Sequence, residues 1–167
     1  MKSKFVFAYM DTAKRFAQLS TARKLQVGSI IVKDNRVISI GYNGMPSGWS
    51  NECEDVDRPV WMTWEPRDDA DLGQCRLKSK PEVLHAEANA ITKVARSVES
   101  CEGAVLFCTH TPCIECAKLI YQSGIKAVYI GEEYVATKGS GKQFLIDCGI
   151  EVTKVPSEIK WRTILDI

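Results

Sequence analysis

Two short segments hold the residue types from which a reactive metal centre can be built. They are His85-Ala86-Glu87 and Pro112-Cys113-Ile114-Glu115-Cys116, with Cys113 28 positions after His85. Zinc takes imidazole nitrogen and thiolate sulfur, and a zinc ion that performs chemistry keeps a fourth position open for water. His85, Cys113 and Cys116 supply three such ligands. The two-residue gap between the cysteines lets one helical turn offer both sulfurs to one ion, and a helix N-terminus favours thiolate over thiol. Glu87 is not needed as a ligand. A carboxylate beside zinc-bound water can carry the proton released when that water is activated. Each segment alone has a plainer explanation: a lone CxxC can be a redox pair or half of a structural zinc site, and a lone His opening a helix can be a polar cap. Together, with a strand before Pro112, they point to hydrolytic zinc chemistry.

For these residues to meet, regular elements must carry them to one place. Phe5, Ala8, Tyr9, Ala13, Phe16 and Ala17 recur at helical spacing, which predicts an amphipathic helix from about Phe5 to Leu19. Val27–Val32 and Val37–Ile40 are β-branched runs either side of Asp34-Asn35 and read as a hairpin. From His85 the pattern is helical to about Ser97. A strand (Ala104–Cys108), a helix (Cys113–Ser123), a strand (Ala127–Ile130), a helix (Gly141–Cys148) and a strand (Ile150–Val155) follow. This alternation predicts an α/β sandwich with parallel strand pairs, in which His85 and Cys113 both open helices. Between hairpin and His85 lies a stretch rich in Asp, Glu, Pro, Arg and Trp without sustained periodicity. It reads as a long irregular insert at about 45–84, of a kind that is usually functional or metal-stapled. Ser157–Ile167 reads as a short helix or packed tail.

The chain has 167 residues, 45% apolar and 26% charged, which fits one domain over 1–167 and excludes a disordered tail, a collagen-like rod or a small disulfide scaffold. Twenty-two Lys+Arg against 21 Asp+Glu leave a net charge of +1. A grip on long nucleic acid needs a basic surplus, so no polynucleotide partner is expected, although a local basic pocket for one small phosphate stays open. The apolar run Phe5–Met10 is broken by Asp11, Lys14 and Arg15, too early for a signal peptide, and no run reaches a membrane span. A cytoplasmic location is expected. The odd count of seven cysteines fits metal ligands or buried apolar residues better than disulfides.

The order H-x-E then P-C-x-x-C is a signature of zinc deaminases, in which activated water attacks a ring carbon bearing an amino group. Further segments narrow this. Val27-Gly28-Ser29-Ile30-Ile31-Val32, Gly41-Tyr42-Asn43-Gly44-Met45-Pro46-Ser47-Gly48, His85–Ile91, Thr111–Lys118 and Gln122–Lys126 resemble the deoxycytidylate (dCMP) deaminases of the cytidine deaminase-like superfamily, above all the allosteric bacteriophage and eukaryotic members. The HAE and PCxxC pair is common to the superfamily, whereas GYNGMPSG is more specific to the dCMP deaminases. The resemblance implies a three-layer α/β/α sandwich around a mixed five-stranded sheet. It implies hydrolysis of dCMP to dUMP and ammonia, in the host cytoplasm if the gene is a phage's. His85, Cys113 and Cys116 would hold zinc, and Glu87 would carry protons. Asn43 would bind the sugar, its alternative being a turn asparagine. The backbone of Ala86 would meet the pyrimidine edge, the carbonyl near Thr111 the exocyclic amine, and Tyr134 would close over the substrate unless it is a packed surface tyrosine.

A nucleoside monophosphate needs cations. Arg23 and Lys24, in the loop before the first strand, are candidates for a phosphate clamp, the alternative being ordinary solvated charge. The resemblance also implies a homo-hexamer, activated by dCTP and inhibited by dTTP, with magnesium on the triphosphate. Gly41, Tyr42, Gly44 and Gly48 would then form backbone that an effector approaches closely, and Arg96, late in the helix that His85 opens, would link to a subunit interface or effector unless simply solvated. Some relatives carry a second, structural zinc in the insert; here Cys53 and Cys75 are the candidates, and packing is their alternative. The competing readings are another nucleoside or nucleobase deaminase, or a non-catalytic zinc-stabilised nucleotide sensor.

Overall fold

The computed structural model of the chain describes residues 1–134, 139 and 141–156. Helix α1 (Ser3–Ala17) leads into a hairpin of β1 (Gly28–Lys33) and β2 (Arg36–Tyr42). Its turn residues Asp34 and Asn35 have φ of 50° and 58°, the left-handed pair that a tight two-residue hairpin turn requires. After the insert come α3 (Ala86–Val94), β5 (Val105–His110), α4 (Ile114–Gln122), β6 (Ala127–Glu132), α5 (Gly141–Asp147) and β7 (Glu151–Lys154). The insert itself holds β3 (Glu54–Asp57), α2 (Asp69–Gly73) and β4 (Arg76–Ser79).

Five strands form one sheet in the order β2-β1-β5-β6-β7. β1 runs antiparallel to both β2 and β5, while β5, β6 and β7 are mutually parallel neighbours. The mixed sheet expected from the sequence is therefore present. Alternation along β5 divides the core. Val105 and Phe107 face α1 with Met10, Ala13, Ile30 and Val32. Leu106 and Cys108 face the opposite side with Ala90 and Val94 of α3, Ala117 and Ile120 of α4, and Leu145 of α5. Three layers result, with α1 on one face and α3, α4 and α5 on the other. Among the described residues no helix is long and apolar enough to cross a membrane.

Two glycines set how closely the helices approach. A Cβ at Gly28 would lie 2.1 Å from the Ala13 carbonyl oxygen of α1, and one at Gly41 would lie 2.1 Å from the Ala86 oxygen and 2.7 Å from the Ala90 nitrogen of α3. The sequence reading gave Gly41 to an effector. Its lack of a side chain is instead explained by α3, whose backbone occupies the space. A Cβ at Gly44 or Gly48 meets nothing within 4 Å, although Gly48, at φ +87°, holds a conformation that favours glycine.

The insert is more regular than its sequence suggests. β3 and β4 pair antiparallel from Glu54↔Ser79 to Asp57↔Arg76, forming a small second sheet. Both strands are four residues long and rich in charge, so they lack the apolar alternation that marks a half-buried strand. The α2 turn is capped by Asp68, whose side chain accepts from the Asp71 amide. Gly44 and Leu84 exchange two backbone hydrogen bonds (3.1 and 2.9 Å), closing the insert one residue before His85. The reading of Ser157–Ile167 lies outside the described residues.

The Gly41 contact gives a stability prediction. Gly41→Ala forces α3 off the sheet and is expected to destabilise the protein by about 3 kcal/mol, the upper end for overpacking a tight core contact. Chemical denaturation checks it; a change below a few tenths of a kcal/mol would show that α3 does not need this glycine.

Candidate metal centre

Helices α3 and α4 begin at the same edge of the sheet, beyond the C-terminal end of β5. Their N-cap residues are His85 and Cys113, and neither side chain caps its own helix. Each side chain therefore leaves its helix start where the dipole is positive. The His85 Nδ1 lies 3.5 Å from the Cys113 sulfur and 3.4 Å from the Cys116 sulfur. Ligand atoms of all three residues fall within 4.8 Å of one another, and this is the one such group of three or more metal-binding side chains among the described residues. His85 is exposed, Cys113 half-buried and Cys116 buried, so the cluster is open on one side.

The electrostatics suit a cation. A hydrogen bond with Cys116 and another with His85 hold Cys113 as thiolate, with its pKa lowered to about 3 against the opposing effect of burial. Hydrogen bonding to Cys113 and burial push the Cys116 thiol the other way. A divalent ion displaces thiol protons when it binds thiolates. One imidazole and two sulfurs, converging and open to one side, fit zinc with a position left for a further ligand.

Glu87 is on the first turn of α3, only 4% exposed. Burial raises its carboxyl above the ordinary range, and a hydrogen bond to its own backbone amide and the nearby His85 partly offset this. Beneath it lies Cys108 on β5, whose thiol is pushed well up by burial and then by the Glu87 charge. Sequence reasoning did not pick out Cys108; the alternation of β5, which puts it on the α3 face, is the signal that finds it. Thr109 was missed as well. Its buried hydroxyl accepts from the Gly28 amide at 3.1 Å and lies 3.0 Å from the His110 Nδ1, tying the start of β1 to the end of β5.

Helix α3 is fastened to β2 along its length. Ser39 donates to the Ala90 carbonyl (2.7 Å), Lys93 to Ile40 (3.0 Å) and Asn89 to Tyr42 (2.8 Å). The Lys93 ammonium also lies 5.8 Å from the centre of the Tyr42 ring, within cation–π range.

The other residues singled out in the sequence fall in two groups. Ala86 is buried at the first position of α3, next to Glu87. Thr111 is buried beside Pro112, its amide bonded to the Glu132 carbonyl (3.0 Å), and its hydroxyl accepts from the Tyr134 amide (3.2 Å). That contact draws Tyr134, whose side chain is partly exposed, to the rim of the site. Asn43 is buried at the end of β2, and its side-chain oxygen accepts from the Val27 amide while its nitrogen donates to the Leu25 carbonyl, both at 2.8 Å. Arg23 and Lys24 are exposed in the same loop. All of these sit at one sheet edge. Arg96 does not: it lies beyond the C-terminal end of α3, away from His85. Nor do Cys53 and Cys75 share a metal group. The Cys53 sulfur faces the Thr21 hydroxyl at 3.5 Å, and the Cys75 sulfur faces Met62 at 3.5 Å.

Residues 4–132 match the profile of the cytidine and deoxycytidylate deaminase zinc-binding region. Deoxycytidylate deaminase of Enterobacteria phage T4 is 34% identical over 93% of this chain and 94% of its own length. The human deoxycytidylate deaminase is 39% identical over 75% of this chain and 64% of its own. A dCMP deaminase from the cyanophage S-TIM5, in a crystal structure with dCMP and dUMP, matches the fold with a TM-score of 0.75 at 39% identity, covering 93% of this chain and 99% of that one.

The ligand geometry predicts about one zinc ion per chain. Cys113→Ser and Cys116→Ser are expected to lose most of it, and Glu87→Gln to keep it. Replacing Cys53 and Cys75 together is expected to leave zinc content unchanged. Elemental analysis of the purified proteins reads all four, and zinc surviving in the two serine variants would move the centre elsewhere.

Proposed function

Because the chain belongs to the cytidine and deoxycytidylate deaminase family, matching its zinc-binding region over residues 4–132, we propose that it hydrolyses dCMP to dUMP and ammonia. The observation that carries this is a buried carboxyl, Glu87, beside an open three-ligand centre in a fold that matches an enzyme holding both dCMP and dUMP. His85, Cys113 and Cys116 would hold zinc, which would supply the Lewis acidity that activates water at neutral pH. The remaining work falls to the protein. Glu87 accepts a proton from the attacking water at its carboxylate. Water oxygen bonds to the ring carbon, the bond to the amino nitrogen breaks, and the two water protons end on the ring nitrogen and on the departing ammonia. A carboxyl raised by burial holds each proton long enough to pass it on, which suits this task.

Substrate placement follows the same edge. The Ala86 backbone amide, among the first N–H groups of α3 and so without a helical partner, meets the pyrimidine edge, and the Thr111 carbonyl accepts from the exocyclic amine. Asn43 keeps one N–H and one lone pair beyond its two loop contacts, enough for a sugar hydroxyl. Tyr134 covers the open side. Arg23 and Lys24 clamp the phosphate. Neither side chain forms an ion pair with another described residue, so both charges are available to a ligand.

Regulation belongs to the same proposal. The enzyme works as a homo-hexamer that dCTP activates and dTTP inhibits, each carrying magnesium, at the turn that includes Tyr42, Gly44 and Gly48. What supports a regulatory turn here is its wiring. Asn43 bonds to the loop at Leu25 and Val27, and Gly44 bonds to Leu84 beside His85. A triphosphate that moves this turn acts on both sugar contact and metal ligand, and two ligands that favour different positions of the turn would oppose one another.

Glu87→Gln is expected to lower dCMP turnover by about 10²–10⁴-fold, the range for losing a general acid–base group, and dCMP is expected to be preferred to cytidine and cytosine in a direct ammonia-release assay. Full activity in the glutamine variant would remove Glu87 from the reaction. In the same assay dTTP is expected to suppress turnover and dCTP to relieve it; indifference to both leaves the turn with a substrate role alone.

A further inference from the structure

The loop before β1 is gripped from two sides. From β2, Asn43 holds Leu25 and Val27. From the insert, a second set of contacts holds residues 21–24. Thr21 donates its hydroxyl to the Asn51 carbonyl at 3.0 Å and lies 3.5 Å from the Cys53 sulfur. The two carboxylate oxygens of Glu54 accept from the consecutive backbone amides of Arg23 and Lys24, each at 3.2 Å. A carboxylate beside an arginine and a lysine ordinarily pairs with their charged ends. Glu54 does not. It takes the backbone and leaves both cationic side chains without an ion-pair partner among the described residues. The opposite pattern appears a few residues away, where Lys80 sits within reach of Glu52 and Asp55 (4.0 and 3.9 Å).

Two backbone bonds to one carboxylate fix the direction of two successive peptide units, and with them the directions in which two side chains leave the chain. Glu54 itself is fixed, because it opens β3 opposite Ser79, and the next residue back, Cys53, accepts from the Lys80 amide at 2.9 Å. We propose that Glu54 is a positioning residue for recognition of the substrate phosphate: the insert holds the 23–24 backbone so that Arg23 and Lys24 present a preformed dianion clamp. This gives the insert a function in choosing nucleoside monophosphate over nucleoside. It rests on the reading of Arg23 and Lys24 as that clamp.

The test compares dCMP with deoxycytidine, which lacks only the phosphate. Glu54→Ala is expected to lower kcat/KM for dCMP about tenfold, through KM, the size expected when charge-assisted hydrogen bonds that order a binding group are lost. For deoxycytidine kcat/KM is expected to stay unchanged, as is zinc content. Glu54→Gln retains one acceptor oxygen and is expected to fall between, which keeps the test usable where the alanine variant folds poorly by circular dichroism. Adding Glu54→Ala to Arg23→Ala is expected to lower dCMP efficiency much less than in the wild type, since neighbours acting through one interaction are not additive. Equal loss on both substrates would mean that Glu54 only supports the fold, and a fall in KM for dCMP would mean that it competes with the phosphate. Either result, or no change, overturns the proposal. Wild-type protein that ignores dCMP altogether would instead bring down the functional reading itself.

Discussion

His85 and the two cysteines meet because two helices start at one edge of one sheet, and the sheet leaves them little choice. The β5-α4-β6 unit is a crossover between parallel strands, so α4 must begin just past the end of β5 and lie back across the sheet. Helix α3 reaches the same edge by a different route. It packs across β1, which runs opposite to β5, and β2, which runs the same way as β5, and it is seated by the missing Cβ of Gly41 and by three side-chain bonds between it and β2. Its first turn then places Ala86 and Glu87 over Cys108. A shift of α3 by a single methyl group moves the imidazole and the carboxyl together, so metal affinity and proton transfer are tied to one packing contact.

That tie explains how Glu87 tolerates its depth. A buried carboxyl without partners is unfavourable in its charged form and answers by holding its proton. Here burial and the Cys113 charge oppose ionisation, while its own amide, His85 and Cys116 favour the charge. The balance leaves a group raised above an ordinary carboxyl, which suits the proton carrier proposed for Glu87.

Much of this was legible along the chain because the signals are local. The zinc ligands lie in two short segments whose spacing matches helix starts, and the central strands are β-branched runs with clear ends. Other features depend on residues distant in sequence. Gly41 is small because Ala86 and Ala90 lie over it, a fact no window around Gly41 contains. The strands Glu54–Asp57 and Arg76–Ser79 bury little, stand on charged residues and exist by pairing with one another, so periodicity could not find them. Asn43 reads as a turn residue or a sugar ligand, whereas its side chain is largely occupied in holding the preceding loop.

The site is thus held by two kinds of support. At the reacting end, metal ligands and carboxyl are set by the sheet, by helix packing and by closed backbone pairing, where a change of even one atom is felt through the core. At the proposed phosphate end, the loop is set by a handful of side-chain bonds from Asn43, Thr21 and Glu54, on a protein whose net charge of +1 offers no general attraction for a nucleotide. Recognition there has to come from placing two cations, not from accumulating many. Under the proposed function, chemistry resides in the rigid part, and the choice among substrates carrying the same base resides in the part that a few substitutions in the insert would re-aim without touching the reaction.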